Sequence, residues 1–156
     1  MPSTPSVQLD NLPGHLMRRM HQISVGIFMS EMESLGLTPI QFAALQATKL
    51  QPGIDQKTLA KMIALDTSTT GGVIDRLETR GLMERHAAEL DRRVRLLYLT
   101  RAGETTLADV IPRMLKVQSK ILSPLSPAEQ KTFMTLLNQL VNENNEFSRA
   151  PSQPTP

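Results

Sequence analysis

Hydrophobic positions near the start of the chain recur every three or four residues. Leu12, Leu16, Ile23 and Ile27, with Ser34 completing the row, fall on one face at about 100° per residue. This predicts a first helix that starts near Asp10 or Pro13, runs to Ser34 and stops at Gly36. A second helix is predicted over 40–48, with Thr38 as N-cap, Pro39 in the first turn, and Phe42, Ala43 and Leu45 facing inward. Gln51-Pro52-Gly53 reads as a turn. Asp55 caps a third helix over 56–64 that buries Leu59, Ala60 and Ile63. Asp66 caps a fourth that buries Val73, Ile74 and Leu77 and ends at Gly81.

The pattern then changes period. Residues 82–86 and 94–99 read as two strands joined by the loop AAELDRR. Thr100 caps a long helix over 102–122 with Leu107, Val110, Ile111, Met114, Leu115 and Ile121 as its apolar positions. Pro112 inside it predicts a kink. Ser126 and Glu129 form a capping box for a last helix that carries Phe133, Leu136, Leu137, Leu140, Val141 and Phe147 on one face. No internal repeat is visible.

This order predicts a mainly α fold with a small β wing, a winged helix-turn-helix flanked by N- and C-terminal dimerisation helices. The expected divisions are a disordered arm at 1–9, an N-terminal dimerisation helix at 10–36, the DNA-binding lobe at 37–100, C-terminal dimerisation helices at 101–147, and a disordered tail at 148–156. The two ends, MPSTPS and RAPSQPTP, are rich in Pro, Ser and Thr. The end helices have broad apolar stripes, and the central module supplies its own core. A two-fold homodimer of interleaved end helices covers those stripes better than a compact monomeric bundle does.

Composition narrows the partners. A formal net charge of +2 means that any nucleic-acid contact comes from local clusters of Lys and Arg. Aromatic content of 3%, with no Trp and one Tyr, leaves no stacking platform for single strands. Having no cysteine removes disulfides, thiolate nucleophiles and iron–sulfur clusters. No apolar run is long enough to span a bilayer, the start of the chain has no secretory pattern, and a cytoplasmic location without membrane contact is expected.

The chemistry concentrates between Asp55 and Gly103. In a helix-turn-helix the second helix enters the major groove with its N-terminal residues on the base edges. Here those are Thr67, Ser68, Thr69 and Thr70, whose hydroxyls and methyls suit phosphates, bases and thymine methyls. N-capping alone is the competing reading of that cluster. Arg76 reaches towards a phosphate, and Arg80 reads as well as a solvated residue. Arg92, Arg93 and Arg95 form the densest positive patch, at the turn of the hairpin, with Asp91 beside them to hold a guanidinium extended for the minor groove.

Residues 37–103 resemble the MarR family of winged helix-turn-helix regulators. The resemblance rests on LTPIQFAAL, on LAKMIALDTSTTGGVIDRLETRGL, on the DRR of the wing and on LTRAG, in this order and spacing. It implies an obligate homodimer that binds a pseudo-palindromic double-stranded DNA operator, usually as a repressor released by a small ligand. By position, Arg93 matches the wing arginine that enters the minor groove, and Asp91 the aspartate that holds it. One departure stands out. Many members have Thr or Ser followed by a base-reading Arg where this chain has Gly71-Gly72. Two helical glycines cost roughly 1 kcal/mol each, so they imply either close backbone approach to DNA or loss of that contact.

The resemblance also implies a cleft for small aromatic acids. Arg19 lies at the edge of the first helix's apolar stripe, with His15 one turn earlier and Met20 as lining, while Arg18 is expected on the opposite, wet side. His15 and Arg19 pointing to solvent, or into an intersubunit ion pair, is the competing reading. The stretch GHLMRRMHQI is similar to regulators of nicotinate degradation, which implies a hydroxylated pyridine carboxylate as inducer.

Catalysis is not expected. His15, His21 and His86 are scattered, no HExxH, P-loop or G-x-S-x-G occurs, and no cofactor or metal is implied. The remaining alternatives are a winged-helix module that binds protein, and a regulator without a small-molecule ligand.

Overall fold

The computed structural model describes residues 7–151. Of the arms expected at 1–9 and 148–156, residues 1–6 and 152–156 lie outside the described residues. The elements, in order, are α1 (Pro13–Met32), α2 (Pro39–Leu50), β1 (Ile54–Asp55), α3 (Gln56–Met62), α4 (Thr67–Thr79), β2 (Met83–Ala87), β3 (Arg95–Leu99), α5 (Arg101–Leu122) and α6 (Pro127–Glu143). Short 3-10 turns occupy Leu9–Asn11, Glu33–Leu35 and Asn145–Phe147.

Five of the helices start where the sequence places their caps. Thr38 and Gln41 cap each other reciprocally at α2, and Ser126 and Glu129 do so at α6. Asp55 accepts from the Thr58 amide at 3.0 Å, Asp66 from the Thr69 amide at 2.8 Å, and Thr100 from the Gly103 amide at 3.0 Å. Gly36 and Gly81 end their helical segments with φ of 57° and 69°. α3 stops at Met62, short of the expected residue 64, because Ala64 turns left-handed at φ 54°. That turn returns the Leu65 amide to the Ala60 carbonyl at 2.9 Å.

The sheet is antiparallel in the order β1-β3-β2. Met83 pairs with Leu99 and Ala87 with Arg95, so the hairpin closes on the loop 88–94. β1 adds a third strand that the sequence reading lacked, pairing Ile54 with Leu97. Two residues are too few to display a period. Leu45, Ile54, Leu59, Ile74, Leu77 and Leu97 form the buried centre of the lobe, which Val110 and Val117 of α5 and Phe28 and Met32 of α1 extend.

The inward faces of α2 and α5 differ from expectation, and the stripe of α1 is divided. On α1, Leu12, Leu16 and Ile23 are exposed, and the buried residues are Phe28 and Met32. Only the C-terminal part of the helix reaches the core, so Ile27 of the stripe packs against it while Leu12, Leu16 and Ile23 do not. On α2, Gln41, Ala44, Leu45, Ala47 and Thr48 are buried, while Phe42 and Ala43 are half-buried. The Thr48 hydroxyl enters the core because it donates back to the Ala44 carbonyl at 2.9 Å. α5 continues as one helix through Pro112. Its Ile111 and Leu115 are exposed, whereas Val117, set between polar neighbours in the sequence, is buried. No residue of α6 is buried, and its Phe133, Leu136, Leu140 and Val141 stand exposed.

Two close arrangements fix the lobe against the long helices. Gly103, in the first turn of α5, lies against Leu82, the residue before β2, so tightly that a Cβ there would lie 1.9 Å from the Leu82 carbonyl oxygen. At the corner after α1, Arg80 donates to the carbonyls of Gly36 and Leu35 at 2.7 and 2.8 Å. Arg113 of α5 donates to the Glu31 carbonyl and the Ser34 hydroxyl at 3.1 and 3.0 Å. Lys116 and Lys120 each lie 3.0 Å from the Glu31 carboxylate and hold it below the usual carboxylate range, the Lys116 hydrogen bond contributing most.

Candidate nucleic-acid interface

The second helix of the helix-turn-helix is α4, and its inner face is fixed by Thr70, Val73, Ile74 and Leu77. At 100° per residue this turns Ser68, Gly72, Asp75, Arg76 and Thr79 outward. Thr67, Ser68 and Thr69 are exposed at the N-terminal end, where unpaired amides favour anions. The four-residue hydroxyl cluster is therefore divided. Thr70 is fully buried and its hydroxyl donates to the Asp66 carbonyl at 2.8 Å, so it packs the lobe and is not part of the outward surface. The Thr69 hydroxyl donates to the Asp66 carboxylate at 2.6 Å. Thr67 and Ser68 carry hydroxyls that have no partner among the described residues.

Asp66 sits beneath this end. The Thr69 hydroxyl, then the Thr69 amide, hold its carboxyl below the usual range. Asp55 does the same work for α3. Burial pushes its carboxyl up, but the combined bonds from Thr58 and nearby amides outweigh this and lower it.

The arginines fall into two groups. Arg80 spends its guanidinium on the Leu35 and Gly36 carbonyls, so it is a clamp and not a solvated face residue. Arg85, which the sequence reading passed over, bridges from β2 to Asp75 at 2.7 Å and to Glu78. It neutralises two carboxylates of α4, one of them on the outward face. Arg76 is exposed and lines a shallow hollow with Gly36, Gln41, Thr79 and Arg80.

Arg92, Arg93 and Arg95 are exposed around the wing turn, and their guanidinium groups have no partner among the described residues. Arg92 and Arg95 line a second hollow with Ala87, Ala88 and Glu89. Asp91 does not hold the Arg93 guanidinium. Its Oδ1 accepts from the Arg93 backbone amide at 2.9 Å, and its carbonyl accepts from the Val94 amide at 3.0 Å. It shapes the turn and leaves the side chain free.

On α1, His15 is half-buried and Met20 partly covered. Arg19 lies 3.4 Å and the His15 ring 3.9 Å from the Asp10 carboxylate. Arg18 lies 3.4 Å from the other side of that ring, not on an opposite face. Residues three and four along a helix both neighbour the first, so Arg18 and Arg19 flank His15. Neither hollow named above includes these residues. Among the described residues no group of three potential ligands could hold a metal, and no helix is long and apolar enough to cross a membrane.

The MarR family profile matches residues 37–94. Transcriptional regulator HosA of Escherichia coli is 33% identical over 134 residues, 86% of this chain and 98% of the relative. The HTH-type transcriptional repressor NicR of Pseudomonas putida is 30% identical, over 91% of this chain and 95% of the relative. Among solved structures, Bordetella bronchiseptica BpsR, whose DNA binding is regulated by 6-hydroxynicotinic acid, is 30% identical. It superposes with a TM-score of 0.82, over 87% of this chain and 97% of that one.

Proposed function

The chain belongs to the MarR family and is a transcriptional regulator of that type, and we propose that it acts as a repressor, a homodimer that binds a pseudo-palindromic operator and releases it when a small aromatic acid binds. The observation that carries the DNA-binding surface is the contrast between its arginines. Arg80 and Arg85 are satisfied within the chain, while Arg92, Arg93 and Arg95 are held together at one turn and, among the described residues, form no ion pair with Glu89 or Asp91 beside them. Their mutual repulsion is relieved by phosphates. In this reading Arg93 enters the minor groove, Arg92, Arg95 and Arg76 meet phosphates, and Thr67 and Ser68 meet the major groove. Asp91 contributes by shaping the wing turn, and Thr69 and Thr70 by anchoring the first turn of α4.

A gel shift with the gene's own upstream region at about 50 and about 200 mM salt tests this, since six to ten phosphate contacts cost roughly 10³–10⁵ in affinity over that range. We expect Arg93→Ala to weaken binding about tenfold and to lower the salt slope by about one. Affinity within about twofold of wild type, at an unchanged slope, would remove the wing from the interface. Failure of the wild-type chain to bind at low salt would favour a protein-binding winged helix.

The relative regulated by 6-hydroxynicotinic acid supports this effector class. A hydroxylated pyridine carboxylate would take the place of Asp10 opposite Arg19 and His15, with Met20 as lining. Calorimetry with a panel of aromatic acids checks this. Heat with the hydroxypyridine acid that vanishes in Arg19→Gln supports it, and no heat with any acid ends it.

A further inference from the structure

Gln56 is the first residue of α3, outside the helix that faces the groove, yet its side chain ends on α4. Its Nε2 donates to the Thr67 carbonyl at 3.0 Å. Thr67 opens α4, and its carbonyl is also the natural acceptor for the amide four residues on. Gln56 therefore ties the first turn of one helix to the first turn of the next.

Gly71 makes room for that tie. A Cβ there would lie 2.9 Å from Gln56 Nε2 and 3.7 Å from its Cδ. The Gln56 carboxamide thus fills the volume that a side chain at 71 would take. Gly72 has a different setting, with nothing within 4 Å of a Cβ. One glycine accommodates Gln56, and the next leaves the outward face bare.

We propose that Gln56 is a positioning residue of the DNA interface, setting the entry angle of α4, and that residue 71 is glycine because Gln56 needs its space. The proposal rests on the DNA-binding reading above. A helix with no side chain at 72 must approach the bases closely to read them through Ser68. At close range small errors of tilt break contacts, so a lock on the first turn matters to sequence discrimination.

The test uses the full chain and a duplex selected by the wild-type protein from a pool with a randomised core. Affinity for that duplex and for an unrelated one, together with thermal melting, is measured for Gln56→Ala, Gln56→Glu, Gly71→Ala and the Gln56→Ala/Gly71→Ala double variant. Gln56→Ala is expected to weaken the selected duplex about five- to tenfold, the scale of one hydrogen bond, while the unrelated duplex and the melting temperature barely move. Gln56→Glu loses the same donor and follows it. Gly71→Ala evicts Gln56 and gives the same loss, and the double variant is no worse than either single.

Losses that multiply, or a Gln56→Ala affinity within about twofold of wild type, would overturn the proposal. An equal loss on both duplexes with a lowered melting temperature would also overturn it, because that marks a purely structural role. Amide exchange at residues 70–73 without DNA is expected to quicken in Gln56→Ala, and unchanged exchange overturns the lock. If the wild-type chain retains no duplex from the pool, the DNA-binding reading falls, and the exchange measurement still decides the lock.

Discussion

Asp66 carries several duties at one position. Its carboxylate accepts from the amide and the hydroxyl of Thr69, and its carbonyl accepts from the amide and the hydroxyl of Thr70. Its carboxyl is held below the ordinary 3.8, first by the Thr69 hydroxyl. A depressed carboxyl contributes stability that is complete above the unfolded value and is lost as pH falls through the folded one. We therefore expect protection of the Thr69 amide to hold down to the ordinary aspartate range and to fail below it, with the Asp66 resonance titrating under 3.8. A midpoint at or above that value contradicts the cap. The cap itself was legible because it depends on residues three apart. The burial of Thr70 was not, because it depends on which way the whole helix is rolled. Nor was the Asp91 bond to backbone, since a carboxylate beside three arginines has two kinds of donor within reach.

At the scale of elements, Gly103 decides how the wing meets the long helix. It stands at the third position of α5, where Thr100 caps its amide and the Leu82 carbonyl blocks any Cβ at 1.9 Å. The obstacle is backbone, which cannot swing aside. Gly103→Ala should therefore cost at least the upper part of the roughly 1–3 kcal/mol usual for overpacking, visible as a clear fall in melting temperature. An unchanged melting curve would mean that β2 and α5 can part freely. The sequence motif LTRAG marked this junction but not its reason, because a close approach between distant segments leaves no period. The same limit hid β1 and the two arginine clamps. Arg80 and its acceptors are 44 and 45 residues apart, and Arg85 reaches back across a turn to α4.

At the scale of the whole molecule, the apolar rows of α1 and α6 stand exposed among the described residues. Leu12, Leu16 and Ile23 on one helix, with Phe133, Leu136 and Leu140 on the other, would each gain free energy from a second copy of the chain, at about 25 cal/mol per Å² covered. Sedimentation should give twice the 17.3 kDa chain mass for wild type and one chain for Leu136→Glu/Leu140→Glu, with operator binding lost alongside. A wild-type mass of one chain at micromolar concentration refutes the dimer. These stripes were legible as amphipathic patterns. Which of them would be spent on the chain's own core was not, since periodicity names a face without naming its partner.

α5 spans 22 residues, about 33 Å of continuous rod. The wing lobe is fastened at one end by Gly103, and α6 hangs from the other through Gln130, which donates to the Leu122 and Leu125 carbonyls. Arg113, just past the middle, pins the rod to the corner after α1. Lys116 and Lys120 also hold the α6-ward arm to Glu31, so a tilt of the rod on this seat would be that of a lever with its fulcrum near the middle. The arm from Arg113 to the Gly103 fastening is about 15 Å and the other about 13 Å, so motion at the α6 end would arrive at the wing at nearly its own size. A tilt of only 5° would carry the wing roughly 1.3 Å, a little under half the length of a hydrogen bond.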